Sequence, residues 1–155
     1  MPALLFSKSV QVQEIFALLF GGETTIREVR DVLKSEEQAA IGYYVDSDQR
    51  VQNVMICDFA FANSAGAALS LVPAGVVQQA VRKKDVDENL RDNLREVFNI
   101  CANLFLSAEG EAVRLERVDL LPKTTVQIGS DSPQTFEVLF PRYPHGRIQL
   151  LTVES

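Results

Sequence analysis

The segment from Asp87 to about Ser107 carries two stripes of side chains with opposite character. Its apolar residues recur at helical spacing, namely Leu90, Leu94, Val97, Phe98, Cys101, Leu104 and Phe105. Its polar residues step by four, three and four positions, namely Asp92, Glu96, Asn99 and Asn103. At 3.6 residues per turn the two sets lie on nearly opposite sides of one helix. The rest of the chain must therefore supply an apolar surface for this helix, and we expect its carboxylates and carboxamides to face solvent.

Length and charge limit the class of protein. The 155 residues, 46% of them hydrophobic, predict a single domain over residues 1–155 with a sizeable core. The formal net charge of -6 argues against a nucleic-acid partner, which usually meets a basic surface. No apolar run is long enough to span a bilayer and no signal peptide is recognisable, so we expect a cytoplasmic protein without a membrane partner.

The metal-binding and redox residue types are few. Cys57 and Cys101 lie within apolar patterns, which predicts two buried free thiols. The single histidine, His145, lies between Pro144 and Gly146 in a predicted turn. One histidine without clustered cysteines does not make a zinc site, so we expect no metal or cofactor of the chain's own.

Before the central segment the pattern mixes helix and strand. We predict a helix over Ser9–Phe20 that ends at Gly21–Gly22. Strands over Ala39–Val45 and Val51–Phe61 follow, joined by a turn at Asp46–Gln49. We then predict a turn at Asn63–Gly66, a short buried strand over Ala67–Val72, and a helix that begins at Pro73 and ends at Arg82–Lys84. Thr25–Leu33 stays open. Thr25 and Glu28 are typical of a helix capping box, whereas the β-branched content also permits a strand.

After the central segment the pattern indicates strands only. We predict strands over Ala112–Leu121, Lys123–Ile128, Thr135–Phe140 and Arg147–Val153, with the last two paired as a hairpin. This order of elements predicts an α+β fold, in which helices form a layer on a largely antiparallel sheet.

The polar stripe also resembles a known signature. Asp92, Glu96 and Asn99, followed after twenty-two residues by Pro122, resemble the motif of the CheC/CheX/FliY family, bacterial chemotaxis and flagellar proteins that dephosphorylate the response regulator CheY. The motif occurs once, which resembles the homodimeric single-motif CheX more than the two-motif CheC. The resemblance implies a CheC-like two-layer fold, a homodimer, and a phosphorylated CheY-like receiver domain as partner.

The resemblance also implies roles for the motif residues. Asn99 would orient the water that attacks the aspartyl phosphate, which suits a carboxamide because it is both donor and acceptor. Glu96 would pair with the receiver's lysine. Asp92 and Pro122 would be accessory residues, and the receiver itself would supply the Mg²⁺.

One position departs from the family pattern. Asn103 stands where family members usually have glycine, so a partner meets a bulkier surface there. Three interpretations follow: a phosphatase of receiver domains, a non-catalytic binding or scaffold protein that docks to a receiver or a flagellar-motor component, and a domain unrelated to phosphorelays. A buried stripe would favour the third.

Overall fold

The computed structural model describes residues 8–106, 110–120 and 133–153. In this part of the chain there are four α-helices, α1 (Lys8–Phe20), α2 (Phe59–Ser70), α3 (Ala74–Arg82) and α4 (Arg91–Ile100). There are six strands, β1 (Thr25–Val29), β2 (Gln38–Val45), β3 (Val51–Asp58), β4 (Arg114–Leu120), β5 (Gln134–Leu139) and β6 (Gly146–Thr152). Short 3₁₀ turns cover Ser35–Glu37, Glu88–Leu90 and Cys101–Leu104.

The strands form one sheet in the order β1-β5-β6-β3-β2-β4. Every pairing is antiparallel, including the predicted hairpin of β5 and β6, in which Phe136 lies opposite Ile148. The predicted α+β fold with an antiparallel sheet and a helical layer is therefore confirmed.

Alternation along the strands gives the sheet two apolar faces. One face packs with α1, α2 and α4 in the main core, and its strand residues include Tyr44, Met55, Cys57, Phe136 and Ile148. The intervening residues form a second buried cluster with Leu33, namely Ile41, Tyr43, Val54, Ile56 and Leu151. The main core is the apolar surface that the central helix requires.

The first helix and its end agree with the sequence. The helix runs one residue longer than predicted at its start and ends at Phe20. Gly21 follows with φ at 107°, and its N–H donates to the carbonyl of Ala17 at 2.9 Å. The open choice at Thr25 is settled in favour of a strand, because Thr25–Val29 pairs with β5 along its whole length.

Three predictions for the stretch from β3 to α3 differ from the structure. The strand predicted over Val51–Phe61 ends at Asp58. The side chain of Asp58 accepts a hydrogen bond from the N–H of Phe61 at 2.8 Å and so caps the N-terminus of α2. The turn predicted at Asn63–Gly66 and most of the strand predicted over Ala67–Val72 belong to this helix. An alanine-rich run favours a helix, and the turn-forming residues are tolerated there because they are buried and bonded.

The central segment is helical from Glu88 to Leu104, with a 3₁₀ turn at each end of α4. It therefore ends three residues before the predicted Ser107. The strand predicted over Ala112–Leu121 appears as Arg114–Leu120, paired with β2. The strand predicted over Lys123–Ile128 lies outside the described residues.

Candidate functional site

The two stripes of the central segment face opposite ways, as their spacing predicts. Asp92, Glu96, Asn99 and Asn103 are all exposed. The apolar residues of the other face are buried in the core, namely Leu90, Leu94, Val97, Phe98, Cys101, Leu104 and Phe105. We call the exposed set the polar stripe.

A close contact with β2 seats α4 on the sheet. A Cβ added to Gly42 would lie 2.4 Å from Cδ2 of Phe98, so the ring of Phe98 occupies the space that only a glycine leaves. The hydroxyl of the fully buried Tyr44 donates to the carbonyl of Phe98 at 2.7 Å. The residue next to Asn99 is thus fixed by packing and by a hydrogen bond, which holds the polar stripe in place from beneath.

The chain leading into α4 is anchored by a buried amide on α2. The Nδ2 group of Asn63 donates to the carbonyls of Phe59 at 2.9 Å and Asp85 at 2.8 Å, and its Oδ1 accepts from the N–H of Asp87 at 2.9 Å. Asp87 in turn accepts from the N–H of Asn89 with its side chain. Asn63 therefore sets where the central segment begins.

A second amide joins the two helices further along. Asn93 Nδ2 donates to the carbonyl of Gly66 at 2.9 Å and also to Ser70 Oγ. Gly66 has no room for a side chain, because an added Cβ would lie 2.8 Å from the carbonyl oxygen of Leu90. Helix α2 is therefore in close backbone contact with the 3₁₀ turn that leads directly into α4, and this contact together with the hydrogen bonds of Asn93 fixes the rotation of α4 about its axis.

Three of the four outward side chains make no such contacts. Within the described residues, the side chains of Asp92, Glu96 and Asn99 form no hydrogen bond or ion pair. The carboxylate of Glu96 and the carboxamide of Asn99, one helical turn apart, are thus held on a fixed helix and remain free to hydrogen-bond to another molecule. The site can offer an anchoring charge and a group that is both donor and acceptor to a partner surface.

Asn103, the last residue of the polar stripe, already makes one hydrogen bond. Asn103 lies at the exposed C-terminal end of the stripe, and its Nδ2 donates to the carbonyl of Ile100 at 2.9 Å. Its amide is therefore partly used within its own 3₁₀ turn. Pro122 lies outside the described residues.

Sequence reasoning missed the residues that position the stripe. The sequence pattern predicts a turn at Asn63–Gly66, and nothing in it distinguishes Asn93. The alanines around Asn63 and Gly66 favour a helix, and this indication could have placed both residues in α2. Asn93 lies between the two stripes, and spacing alone does not show that it bonds to a neighbouring helix.

Other kinds of site find little support in the described residues. Cys57 and Cys101 are buried free thiols, as predicted, and burial raises the pKa of each thiol, which makes them poor nucleophiles. Across residues 8–106, 110–120 and 133–153 no three histidine, cysteine, aspartate or glutamate side chains are arranged so that they could hold a metal ion. The described helices are also too short or too polar to cross a membrane.

Solved structures share this architecture. No protein-family model and no curated protein matches the sequence. FliY from Thermotoga maritima matches with a TM-score of 0.52 and 15% identity over 97% of this chain and 92% of FliY. CheX in a complex with CheY, BeF₃ and Mg²⁺ from Borrelia burgdorferi matches with a TM-score of 0.54 and 11% identity over 95% and 96%. The FliM middle domain from H. pylori matches with a TM-score of 0.55 and 11% identity over 94% and 85%.

These likenesses define the class of fold. The chain has the fold of the CheC/CheX/FliY proteins, and the resemblance drawn from the motif is confirmed at this level. At 11–15% identity the likeness carries the fold alone. The FliM middle domain shares the same fold, so the polar stripe must carry the argument about activity.

Proposed function

We propose that the protein is a phosphatase of the aspartyl phosphate on a CheY-like receiver domain. The observation that carries the proposal is the exposed pair of Glu96 and Asn99, which has no partner within the described chain and lies on a helix fixed from beneath. In phosphoryl transfer a protein contributes mainly by positioning the reacting groups and stabilising their charge. This chain therefore needs no nucleophile of its own.

The roles follow from the two side chains. Asn99 holds the attacking water with its carboxamide, which accepts from the water with Oδ1 or donates to it with Nδ2. Glu96, one turn before it, pairs with the receiver's lysine and sets the register of docking. The Mg²⁺ belongs to the receiver, and Asp92, Asn103 and Pro122 are accessory. CheX from Borrelia burgdorferi is known in a complex with CheY and Mg²⁺, which supports a receiver as the partner.

The decisive experiment measures the decay of phosphate on a panel of Mg²⁺-loaded receiver domains from the same organism. Wild-type protein should accelerate decay on at least one receiver, and Asn99→Ala should lower that acceleration by about 100-fold, because the water loses its orienting group. Glu96→Ala should act mainly by weakening docking. Glu14→Ala and Gln79→Ala are matched controls, since both side chains are exposed on helices away from the stripe and should leave decay unchanged.

A second candidate function is a scaffold that binds a receiver or a flagellar-motor component without hydrolysis. Asn103 favours it, because a side chain stands where a glycine would allow closer approach. In that case Glu96→Ala weakens binding while the receiver's phosphate lifetime stays the same with and without the protein. Asn103→Gly should then produce measurable phosphatase activity if Asn99 is otherwise well placed.

We also propose that the chain forms a homodimer, since it carries a single motif like CheX. Light scattering on the purified protein tests this directly: a mass near twice 17.2 kDa supports the dimer, and a mass near 17.2 kDa contradicts it.

A further inference from the structure

The polar stripe brings negative charge toward a partner that is itself negatively charged. Asp92 and Glu96 are both exposed carboxylates, and the proposed partner carries a phosphoryl group with about −1.5 to −2 charges at neutral pH. In the proposed docking the receiver's lysine offsets Glu96, while Asp92 pairs with no described residue. Because like charges repel, a cation beside the stripe would favour the phosphorylated form of the receiver.

Arg95 is the cation of α4 that lies next to Asn99. It is exposed and precedes Asn99 by four residues of the same helix, so the two Cβ atoms are about 5–6 Å apart on the helix surface. At 3.6 residues per turn, Arg95 is rotated by only about 40° from Asn99 about the helix axis. The arginine side chain is the longer of the two, so its guanidinium can reach a group that the amide of Asn99 faces.

Arg91, one turn before Arg95 on the same side of α4, is bonded quite differently. Its Nε donates to the carbonyl of Val86 at 3.1 Å, and its Nη2 lies 3.7 Å from Oδ1 of Asp85. The guanidinium of Arg95 makes no hydrogen bond or ion pair within the described residues, although Asp92 stands one turn before it. Arg91 is therefore tied to the chain that leads into α4, while the five N–H donors of Arg95 are left for another molecule.

We propose, on the basis of the function proposed above, that Arg95 makes docking selective for the phosphorylated receiver. Its guanidinium donates to phosphoryl oxygens beside the water that Asn99 holds. Hydrogen bonds from arginine to phosphate oxygens are charge-assisted and frequently bidentate, so they are stronger than those between neutral groups. The positive charge of Arg95 also offsets the negative charge of Asp92. An unphosphorylated receiver lacks these acceptor oxygens, so its affinity should depend little on Arg95.

Binding of Mg²⁺-loaded receiver domains with and without BeF₃⁻ tests this contact without relying on hydrolysis, since BeF₃⁻ mimics a phosphoryl group and stays bound. Isothermal titration calorimetry at fixed ionic strength gives the ratio of the two dissociation constants. The wild type should prefer the BeF₃⁻ form. Arg95→Met should lower this preference by about tenfold, for the loss of one charge-assisted hydrogen bond. Arg95→Lys keeps the charge and should retain part of the preference. Arg91→Met is the matched control and should leave it unchanged.

The outcomes separate this contact from the phosphatase activity. Selective binding that depends on Arg95, without accelerated phosphate decay, would support the contact and contradict the phosphatase. An unchanged preference in Arg95→Met would overturn the contact alone, even with accelerated decay. Equal affinity of the wild type for the two forms, or an equal loss in Arg91→Met, would overturn it as well. Binding to no receiver in either form would overturn both proposals. Arg95 is exposed, so neither variant should lose the fold, which circular dichroism checks.

Discussion

The two faces of the central helix use the same kinds of polar group in opposite ways. On the inner side, the amide of Asn93 donates to the backbone carbonyl of Gly66 on α2. The amide of Asn63 on α2 is bonded to the backbone just before the central helix. On the outer side Asn99 and Glu96 bond to no described residue. The inner amides determine where the helix lies, and the outer pair determines what it presents to another molecule.

This division separates stability from function. Removing an inner contact leaves buried groups unpaired or a cavity, so the fold loses free energy. Removing an outer side chain takes nothing from the fold, because water already solvates it. Under the proposed function the outer change instead removes the group that orients the attacking water. Adjacent residues of one helix should therefore give opposite results.

The strongest test compares Phe98 with Asn99. Phe98→Ala should lower the free energy of unfolding by about 3–5 kcal/mol, since a fully buried ring that lies against Gly42 leaves a cavity. Asn99→Ala should stay within about 0.5 kcal/mol of the wild type, as exposed substitutions do. Urea unfolding followed by circular dichroism measures both. A comparable loss in Asn99→Ala would show that the outer amide also supports the fold.

The contact between α2 and α4 gives the next largest effect. Gly66→Ala should cost about 1–3 kcal/mol, because its Cβ would lie 2.8 Å from the backbone oxygen of Leu90 and must push α2 away from the 3₁₀ turn that leads into α4. Gly75→Ala on α3 is the matched control. Nothing lies within 4 Å of its added Cβ, so it should instead stabilise the protein by roughly 0.5–1 kcal/mol.

Gly66→Ala also probes how tightly the stripe is held. Under the proposed function, and if the rotation of α4 matters to docking, the variant should lose receiver phosphatase activity although the stripe residues are intact. Activity equal to the wild type in a clearly destabilised Gly66→Ala protein would mean that the stripe works without the close contact between the helices.

The same division separates the features that the sequence could predict from those that it could not. The stripe and the buried face of α4 follow from local periodicity, which needs no knowledge of neighbouring elements. The antiparallel sheet followed from the order of helices and strands along the chain. Periodicity within a segment and the order of segments are both present in the sequence, so both could be predicted.

The errors fell where a neighbour decides the structure. Asn63 and Gly66 are residue types that favour turns when they stand alone. In α2 the amide of Asn63 is instead bonded to the backbone of Asp85 and Asp87, and Gly66 is required by the backbone of Leu90. These partners are distant in the sequence, so only the assembled fold reveals them. The role of Pro122 stays a prediction.

Two carboxylates of the fold, Asp58 and Glu37, can be compared in the same way. Their effect on stability is smaller and depends on pH. Asp58, at the start of α2, accepts hydrogen bonds from the N–H groups of Phe61 and Arg147, and its Oδ2 lies 3.6 Å from Nε of Arg147. Burial nevertheless raises the pKa of Asp58 above its ordinary value of 3.8. Glu37 shares Arg147 but is more exposed, and hydrogen bonds from Lys34 and Arg147 lower the pKa of its carboxyl.

These opposite shifts predict opposite pH dependences. A raised pKa in the folded state means that Asp58 contributes most while protonated, below its unfolded pKa, and that this contribution is lost as pH rises through the folded value. Glu37 contributes above its unfolded pKa and loses this contribution as pH falls. From pH below 3.8 to neutrality, the stability of Asp58→Asn relative to wild type should therefore rise, and that of Glu37→Gln should fall. Urea unfolding across this range measures both differences. A relative stability of Asp58→Asn that falls with pH would show that Arg147 and the two N–H groups outweigh burial, and that α2 begins at a carboxylate the fold favours in its charged form.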